Sequence, residues 1–233
     1  MTGTFIKMNK TKIEWTELSW NPITGCNHGC QFCYARKLSH RFGRSFEPEF
    51  HPDRLNQPFQ IKKPHMIFVC SMGELFGDWL PDSWRDRVLD VIRQNPQHTF
   101  QLLTKSPENL YKFNPWPANA WAGASAINAP MAKRALDGLT KTYARIKFIS
   151  AEPLLGDLGN QDFQSLSWII IGAQTNPSKQ PQQVWVENIL GQSNNIPIFM
   201  KPNLIWTNPL KQYPNEFYRQ HNTSDEEKTV NLF

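Results

Sequence analysis

Gly25-Cys26-Asn27-His28-Gly29-Cys30-Gln31-Phe32-Cys33-Tyr34 places three thiols on one short loop, at the spacing Cys-x3-Cys-x2-Cys. Gly25 and Gly29 give that loop the backbone freedom to wrap closely around a bound group. Three thiolates on one loop can converge on three corners of a cube-like iron–sulfur cluster, whereas an electron carrier of that type takes four cysteines. With three, one iron stays open to a further ligand. A structural zinc site wants four ligands, usually as cysteine pairs separated by a longer insert, and His28, His51 or Cys70 would have to complete it. Buried cysteines without any metal are a third reading. Cys70 lies in an apolar run, where a free cysteine commonly behaves as a small hydrophobe.

Working outward from the loop, short apolar, β-branched runs alternate with polar or helical stretches. The runs are 66–70, 99–103, 121–124, 146–150, 168–171 and 196–200, and a first strand is expected at 13–20, just before the cysteines. Short continuous runs of this kind predict strands buried on both faces, as in a parallel sheet. Between them, 82–93 carries Trp84, Val88, Leu89 and Ile92 at helical spacing, with Asp82 or Ser83 placed as a cap. Residues 130–143 and 181–190 show the same periodicity. Six or seven strands alternating with helices predict an α/β fold, an incomplete or compact β/α barrel.

The 233 residues suit one domain, expected over 1–218, followed by a polar tail at 219–233 with acids at Asp225, Glu226 and Glu227. An aromatic content of 12% argues against disorder, and no 20–50-residue period recurs. No apolar run approaches the roughly 18 residues that cross a membrane. Residues 1–15 have lysines but neither an apolar core nor a cleavage-like site, so no signal peptide is expected. A disulfide framework belongs to short secreted chains, and clustered thiols in a long one read as metal ligands in a reducing compartment. The expected location is the cytoplasm. The net charge of +5 concentrates in 36–63 and 133–147. Such patches track phosphates or form solvated helix faces.

Cys-x3-Cys-x-aromatic-Cys, with Phe32 in the aromatic slot, is the signature of the radical S-adenosylmethionine superfamily, and the resemblance extends beyond the loop. Ser71-Met72-Gly73-Glu74 looks like that superfamily's glycine–glutamate motif on strand two, with Met72 where the second glycine would stand. Further phrases resemble a phage and bacterial three-cysteine-motif family of radical-SAM-like proteins. They are Lys12-Ile13-Glu14-Trp15-Thr16, Trp20-Asn21-Pro22-Ile23-Thr24-Gly25-Cys26, the stretch from Ser71 to Phe76, Leu102-Leu103-Thr104-Lys105, Ser150-Ala151-Glu152-Pro153-Leu154-Leu155 and Phe199-Met200-Lys201. These cover most of the chain from Lys12 to Lys201. After Ile171-Gly172 the sequence reads Ala173-Gln174, in place of a glycine- and glutamate-rich continuation.

The resemblance implies a compact or partial (β/α)6-type radical-SAM barrel. It implies that Cys26, Cys30 and Cys33 are the metal ligands of a [4Fe–4S] cluster whose open iron chelates S-adenosylmethionine. A reductant such as flavodoxin or ferredoxin would supply the electron that releases a 5′-deoxyadenosyl radical. Glu74 is expected at the methionine ammonium, with Ser71, Met72 and Gly73 beside it. Phe32 and Tyr34 are expected at the adenine, Ser125 at the ribose hydroxyls, and Gly172 where the backbone nears the adenine. Ordinary packing and turn formation account for such residue types as well. Lys105, Glu152, Gln174 and Lys201 close apolar runs and are the candidate catalytic residues facing a substrate. The structural alternative is that they pair with each other, Lys105 with Glu152 for instance. Asp78 and Trp79 are expected at the border of the same cavity.

The expected substrate is an amino-acid-modified thymine in phage DNA, isomerised after leaving the base stack. Lys105 or Lys201 would hold the amino acid's carboxylate and Glu152 its amine, in the host cytoplasm if the protein is phage-encoded. A free small molecule or a DNA lesion is the alternative radical substrate. A non-enzymatic iron–sulfur or zinc module that binds nucleic acid is the alternative outside enzymology.

Overall fold

The computed structural model describes residues 8–217, so the expected tail at 219–233 lies outside the described residues. The elements run β1 (Asn9–Lys10), β2 (Leu18–Trp20), β3 (Ile23–Thr24), α1 (Tyr34–Arg41), β4 (Glu49–Phe50), β5 (Met66–Val69), α2 (Asp82–Arg93) and β6 (Thr99–Thr104). They continue with β7 (Ala120–Ser125), α3 (Ala129–Thr140), β8 (Ile146–Ala151), β9 (Trp168–Ile171), α4 (Gln183–Gln192) and β10 (Ile198–Met200). One sheet has the order β1-β2-β5-β6-β7-β8-β9-β10, and β3 pairs with β4 apart from it. From β2 onward the seven neighbours are parallel and follow chain order, while β1 joins antiparallel. The expected α/β partial barrel with parallel strands is what forms.

Strand alternation sorts the core into two layers. Ile67, Phe100, Leu102, Ala122, Ile149, Ile169 and Met200 point to the outer layer, where they meet Val88 and Ile92 of α2, Ala135 and Leu139 of α3, and Val186 and Ile189 of α4. The opposite parity supplies Met66, Phe68, Trp121, Phe148, Trp168, Ile170 and Phe199, which cluster with one another and with Trp15. A sheet face that packs on itself must be curled. Trp15 plugs the curl, its ring 4.9 Å from Phe68 and 6.0 Å from Trp168. The two sheet ends approach at the rim, where Lys201 Nζ after β10 stands 3.6 Å from Glu14 Oε2 ahead of β2.

Several expected boundaries shift. The first strand is only Leu18–Trp20, because residues 14–15 turn and send Trp15 inward. Cys70 leaves its strand with φ +56°. Neither Asp82 nor Ser83 caps α2: Pro81 stands at the N-cap position without a side-chain bond, and Asp82 is already in the first turn, paired with Arg85. Asn128 caps α3 through Oδ1 to Met131 N, 3.1 Å. Helix α1 buries only Ala35; Cys33 Sγ caps it, accepting from Arg36 N at 3.4 Å.

Gly123 of β7 sits on the inner parity, where a Cβ would stand 2.2 Å from the Phe148 ring. Gly123→Ala is expected to lower stability by about 1–3 kcal/mol through overpacking. Phe148→Leu added to it recovers part of that loss, although alone it destabilises. Urea unfolding of the two single variants and the double checks this; additive losses would contradict it.

Candidate active site

The cysteine loop is stitched to the turn after β5 before any thiol is considered. Gly25 N donates to Met72 O at 3.0 Å and Glu74 N to Gly25 O at 3.2 Å, forming a parallel bridge between Gly25 and Gly73. Gly25 excludes a side chain, with φ +84° and Glu47 O 2.1 Å from its would-be Cβ, and Gly73 is tight, with three backbone atoms at 3.0–3.1 Å. Asn21, just past β2, accepts from Met72 N (2.9 Å) and Ser71 Oγ (3.2 Å). Tyr34 OH donates to Ser71 O, which fixes the ring at the start of α1. Although the ring is exposed, its hydroxyl end is enclosed, and that desolvation pushes the Tyr34 phenol up to about 12, the Ser71 bond opposing and the charges of Cys33 and Glu152 adding to the rise.

Cys26, Cys30 and Cys33 are free and half-exposed. Burial pushes the Cys26 thiol up to about 11; the bond from His28 N opposes this, and Glu74, Cys30 and Cys33 add to it through charge. Two of the sulfurs already accept backbone N–H groups, Cys26 from His28 and Cys33 from Arg36, each at 3.4 Å. Among the described residues no three His, Cys, Asp or Glu side chains converge as ligands of one ion. Cysteines that bind separate irons of one cluster do not need to converge in that way. The donor set therefore fits a cluster: soft thiolate donors on a loop closed by N–H···S bonds. Cys70 is 5% exposed in the outer apolar layer, and burial pushes its thiol up to about 12, the Ile23 backbone opposing and Glu74 adding to it.

Glu74 is buried beneath this loop. Its Oε1 accepts from Thr104 Oγ1 (2.7 Å) and Phe76 N (2.9 Å). Its Oε2 accepts from Lys105 N (3.0 Å) and lies 3.2 Å from His28 Nε2. Burial raises the carboxyl's pKa, but the bonds from His28, Lys105, Phe76 and Thr104 together hold it below the ordinary value. The expected contact of Glu74 with a cofactor ammonium meets acceptors that protein donors already occupy. His28 also packs edge-on against Trp79, 4.9 Å between centroids, with Ser106 Oγ 3.4 Å from its Nε2.

The inner parity that carries Trp121, Phe148, Trp168 and Phe199 continues at the strand ends into Ser125, Glu152, Gly172 and Lys201, and that of Leu103 into Lys105. Lys105 Nζ donates to Ser125 Oγ at 3.2 Å and has no carboxylate partner among the described residues. Lys201 bridges Glu152 and Glu14. The pairing expected between Lys105 and Glu152 is therefore replaced by Lys201 with Glu152, because β8 and β10 bring these two together across Gly172. A Cβ at Gly172 would stand 3.0 Å from Glu152 Cγ and 3.2 Å from Lys201 Cδ.

Gln174 does not join this group. It lies in the loop after β9, its amide donating to Pro177 O at 2.9 Å. Asp78 is exposed and pairs with Lys112, 3.4 Å away. Phe32 is half-buried on the loop between the second and third cysteines. Residues that carry no role in the sequence reading but hold the site are Glu14, Asn21 and Thr104. Asn21 and Thr104 each flank a strand end inside a quoted phrase, which was the available signal. Glu14 is brought in by curling of the sheet, which no local pattern encodes. A hollow of about 550 Å³ beside Asn194 and Ile198 lies at the N-terminal end of β10, the end opposite these residues.

Glu74→Gln turns an amide N–H₂ toward donors and is expected to cost about 1–3 kcal/mol at neutral pH. A depressed folded-state pKa means the carboxylate stabilises above its unfolded value and loses that contribution as pH falls through the folded one. The stability gap between wild type and Glu74→Gln in urea melts therefore closes below the ordinary value of 4.5. A gap that is independent of pH would contradict this.

The comparisons with known proteins bear on this geometry. The family model described as "Protein of unknown function (DUF5131)" matches residues 10–220. A search of the curated proteins finds no match. Among solved structures, spore photoproduct lyase complexed with dinucleoside spore photoproduct matches with TM-score 0.50 at 10% identity, over 84% of this chain and 66% of that one. A mutant of the same enzyme with bound AdoMet and dinucleoside spore photoproduct gives TM-score 0.55 at 9% identity, over 93% and 64%. The chain thus spans just under two thirds of those two proteins. At such identities the shared property is the fold. The family match covers nearly the whole described chain, and this protein belongs to the DUF5131 family.

Proposed function

We propose that this protein is a radical S-adenosylmethionine enzyme acting on a base in DNA. One observation carries the reading. The Cys-x3-Cys-x2-Cys loop is fastened through His28, Glu74 and the Gly25–Gly73 bridge to the C-terminal mouth of a parallel partial barrel. Resemblance of the quoted phrases to a three-cysteine-motif radical-SAM-like family supports the same reading.

A reduced [4Fe–4S] cluster with bound S-adenosylmethionine supplies a carbon radical that takes hydrogen from an unactivated carbon. Cys26, Cys30 and Cys33 hold that group. Glu74 acts as a positioning residue, keeping the loop against the ends of β5 and β6. Phe32 and Tyr34 flank the adenine, and Ser125 serves the ribose. Gly172 lets the backbone approach. Beneath them the aromatic layer around Trp15 and Trp168 keeps water from entering through the floor. An electron carrier of the flavodoxin or ferredoxin type is the implied reductant, and a reducing compartment, the cytoplasm, suits the clustered thiols.

Two charge environments lie at the C-terminal strand ends. Lys105 has no carboxylate partner among the described residues, while Glu14 and Glu152 share Lys201. An anion beside Lys105 and an ammonium beside Glu152 suit an amino acid appended to thymine, with hydrogen taken from and returned to its carbon skeleton as an isomerisation. Lys105 is the better carboxylate holder, since Lys201 is already engaged. A second reading, cleavage of a DNA lesion, draws on the fold shared with spore photoproduct lyase, whose solved chains hold a dinucleoside photoproduct.

The test is anaerobic reconstitution with iron and sulfide, then dithionite and S-adenosylmethionine, with chromatography for 5′-deoxyadenosine. Iron near about four per chain is expected. So is 5′-deoxyadenosine that disappears in Cys30→Ala and rises with modified DNA more than with the free nucleoside. Equal turnover on both would overturn the DNA reading. A filled cluster that never cleaves S-adenosylmethionine would overturn the enzyme reading.

A further inference from the structure

The face of α1 and the residues after it are unusual for a helix beside a site. Tyr34, Leu38 and Phe42 recur every four residues, one above another on one face. They are 56%, 40% and 64% exposed. The described residues have seven exposed large hydrophobics, and three of them fall on this one short stretch. Cations flank the stripe. Lys37 and Arg41 lie on the helix, and the Arg44 guanidinium lies over the Phe42 ring at 6.0 Å. The helix has no acidic residue. Lys37, Arg41 and Arg44 form no ion pair with the described residues, and Glu49, farther along the same stretch, pairs with His51.

The second basic stretch behaves differently. Lys133 pairs with Asp137 (3.1 Å), Arg134 with Glu108 (2.9 Å) and Arg145 with Glu216 (3.6 Å). Three of the second stretch's five cations are thus held in ion pairs, whereas Lys37, Arg41 and Arg44 form none with the described residues. The position of α1 is also particular. Tyr34 directly follows the last loop cysteine, and Lys37 Nζ donates to Asn176 O at 3.1 Å, which sets the helix against the loop after β9 at the rim of the mouth.

We propose that the exposed face of α1, with Phe42 and Arg44, is the track on which a nucleic-acid strand lies as one of its bases enters the mouth. The exposed Phe42 ring presents a flat π face, which bases match whatever their sequence, and Arg41 and Arg44 follow the phosphates. An acidic protein surface would meet the same cations but has no use for stacked planes. The proposal rests on the nucleic-acid reading above and names where the strand runs.

The test is fluorescence anisotropy with a labelled single-stranded oligonucleotide longer than the roughly 16 nucleotides that one such platform covers. The proteins are wild type, Phe42→Ala, the double variant Arg41→Ala/Arg44→Ala, and the control Lys133→Ala/Arg134→Ala. All substituted side chains are on the surface, and unchanged thermal midpoints confirm folding. Each α1 variant is expected to bind about tenfold more weakly, and the arginine double to lose roughly one to two units of salt slope. The control is expected to bind as wild type. If the α1 variants also bind as wild type, the track is wrong while the DNA reading stands. If wild type binds no oligonucleotide, both fall. If DNA binding is normal but reduction of the cluster by an acidic electron-carrier protein slows, the face belongs to that protein and the proposal is overturned.

Discussion

The Glu74 carboxylate receives hydrogen bonds from three separate parts of the chain: His28 on the cysteine loop, Phe76 in its own turn, and Thr104 and Lys105 at the end of β6. A buried carboxylate left unpaired would cost several kcal/mol. Here both oxygens are fully used, and displacing any one segment would leave a buried acceptor unmet. This turns one side chain into a constraint on three backbones. The loop's position over the barrel mouth, the approach of Gly25 to Gly73, and the orientation of Lys105 toward Ser125 all follow from it.

Below that knot, alternation along parallel strands does the rest. The inner parity is aromatic at the N-terminal ends and polar at the C-terminal ends, so one periodicity produces both a sealed floor and a charged rim. Small residues are placed where large ones must pass: Gly123 for the Phe148 ring, and Gly172 for the contact between Lys201 and Glu152. Curling of the sheet then brings Glu14, from the first described residues, to the last strand end.

Much of this was legible in the sequence. Short apolar runs bounded by turns located β5 to β10 closely, because strands buried on both faces need continuous hydrophobicity. Lys105, Ser125, Glu152, Gly172 and Lys201 were findable as the residues closing those runs. Pairing was not, since Lys105 and Lys201 are equivalent in sequence and only sheet curvature assigns Glu152 to Lys201. Helix α1 is not marked by a core pattern, because its apolar residues Tyr34, Leu38 and Phe42 lie on an exposed face and only Ala35 is buried. Gln174 closes a run like the others, but the loop after β9 turns it back on Pro177. The saturation of Glu74 depends on donors from distant segments, which no motif records.

The central claim is that three cysteines hold a cluster with one iron open at the mouth of this barrel. Electron paramagnetic resonance of the reconstituted, reduced protein, recorded with and without S-adenosylmethionine, tests it most directly. The expected result is a reduced [4Fe–4S] signal whose shape changes when S-adenosylmethionine is added. A signal indifferent to S-adenosylmethionine, or a protein that takes up zinc and no iron, would contradict it.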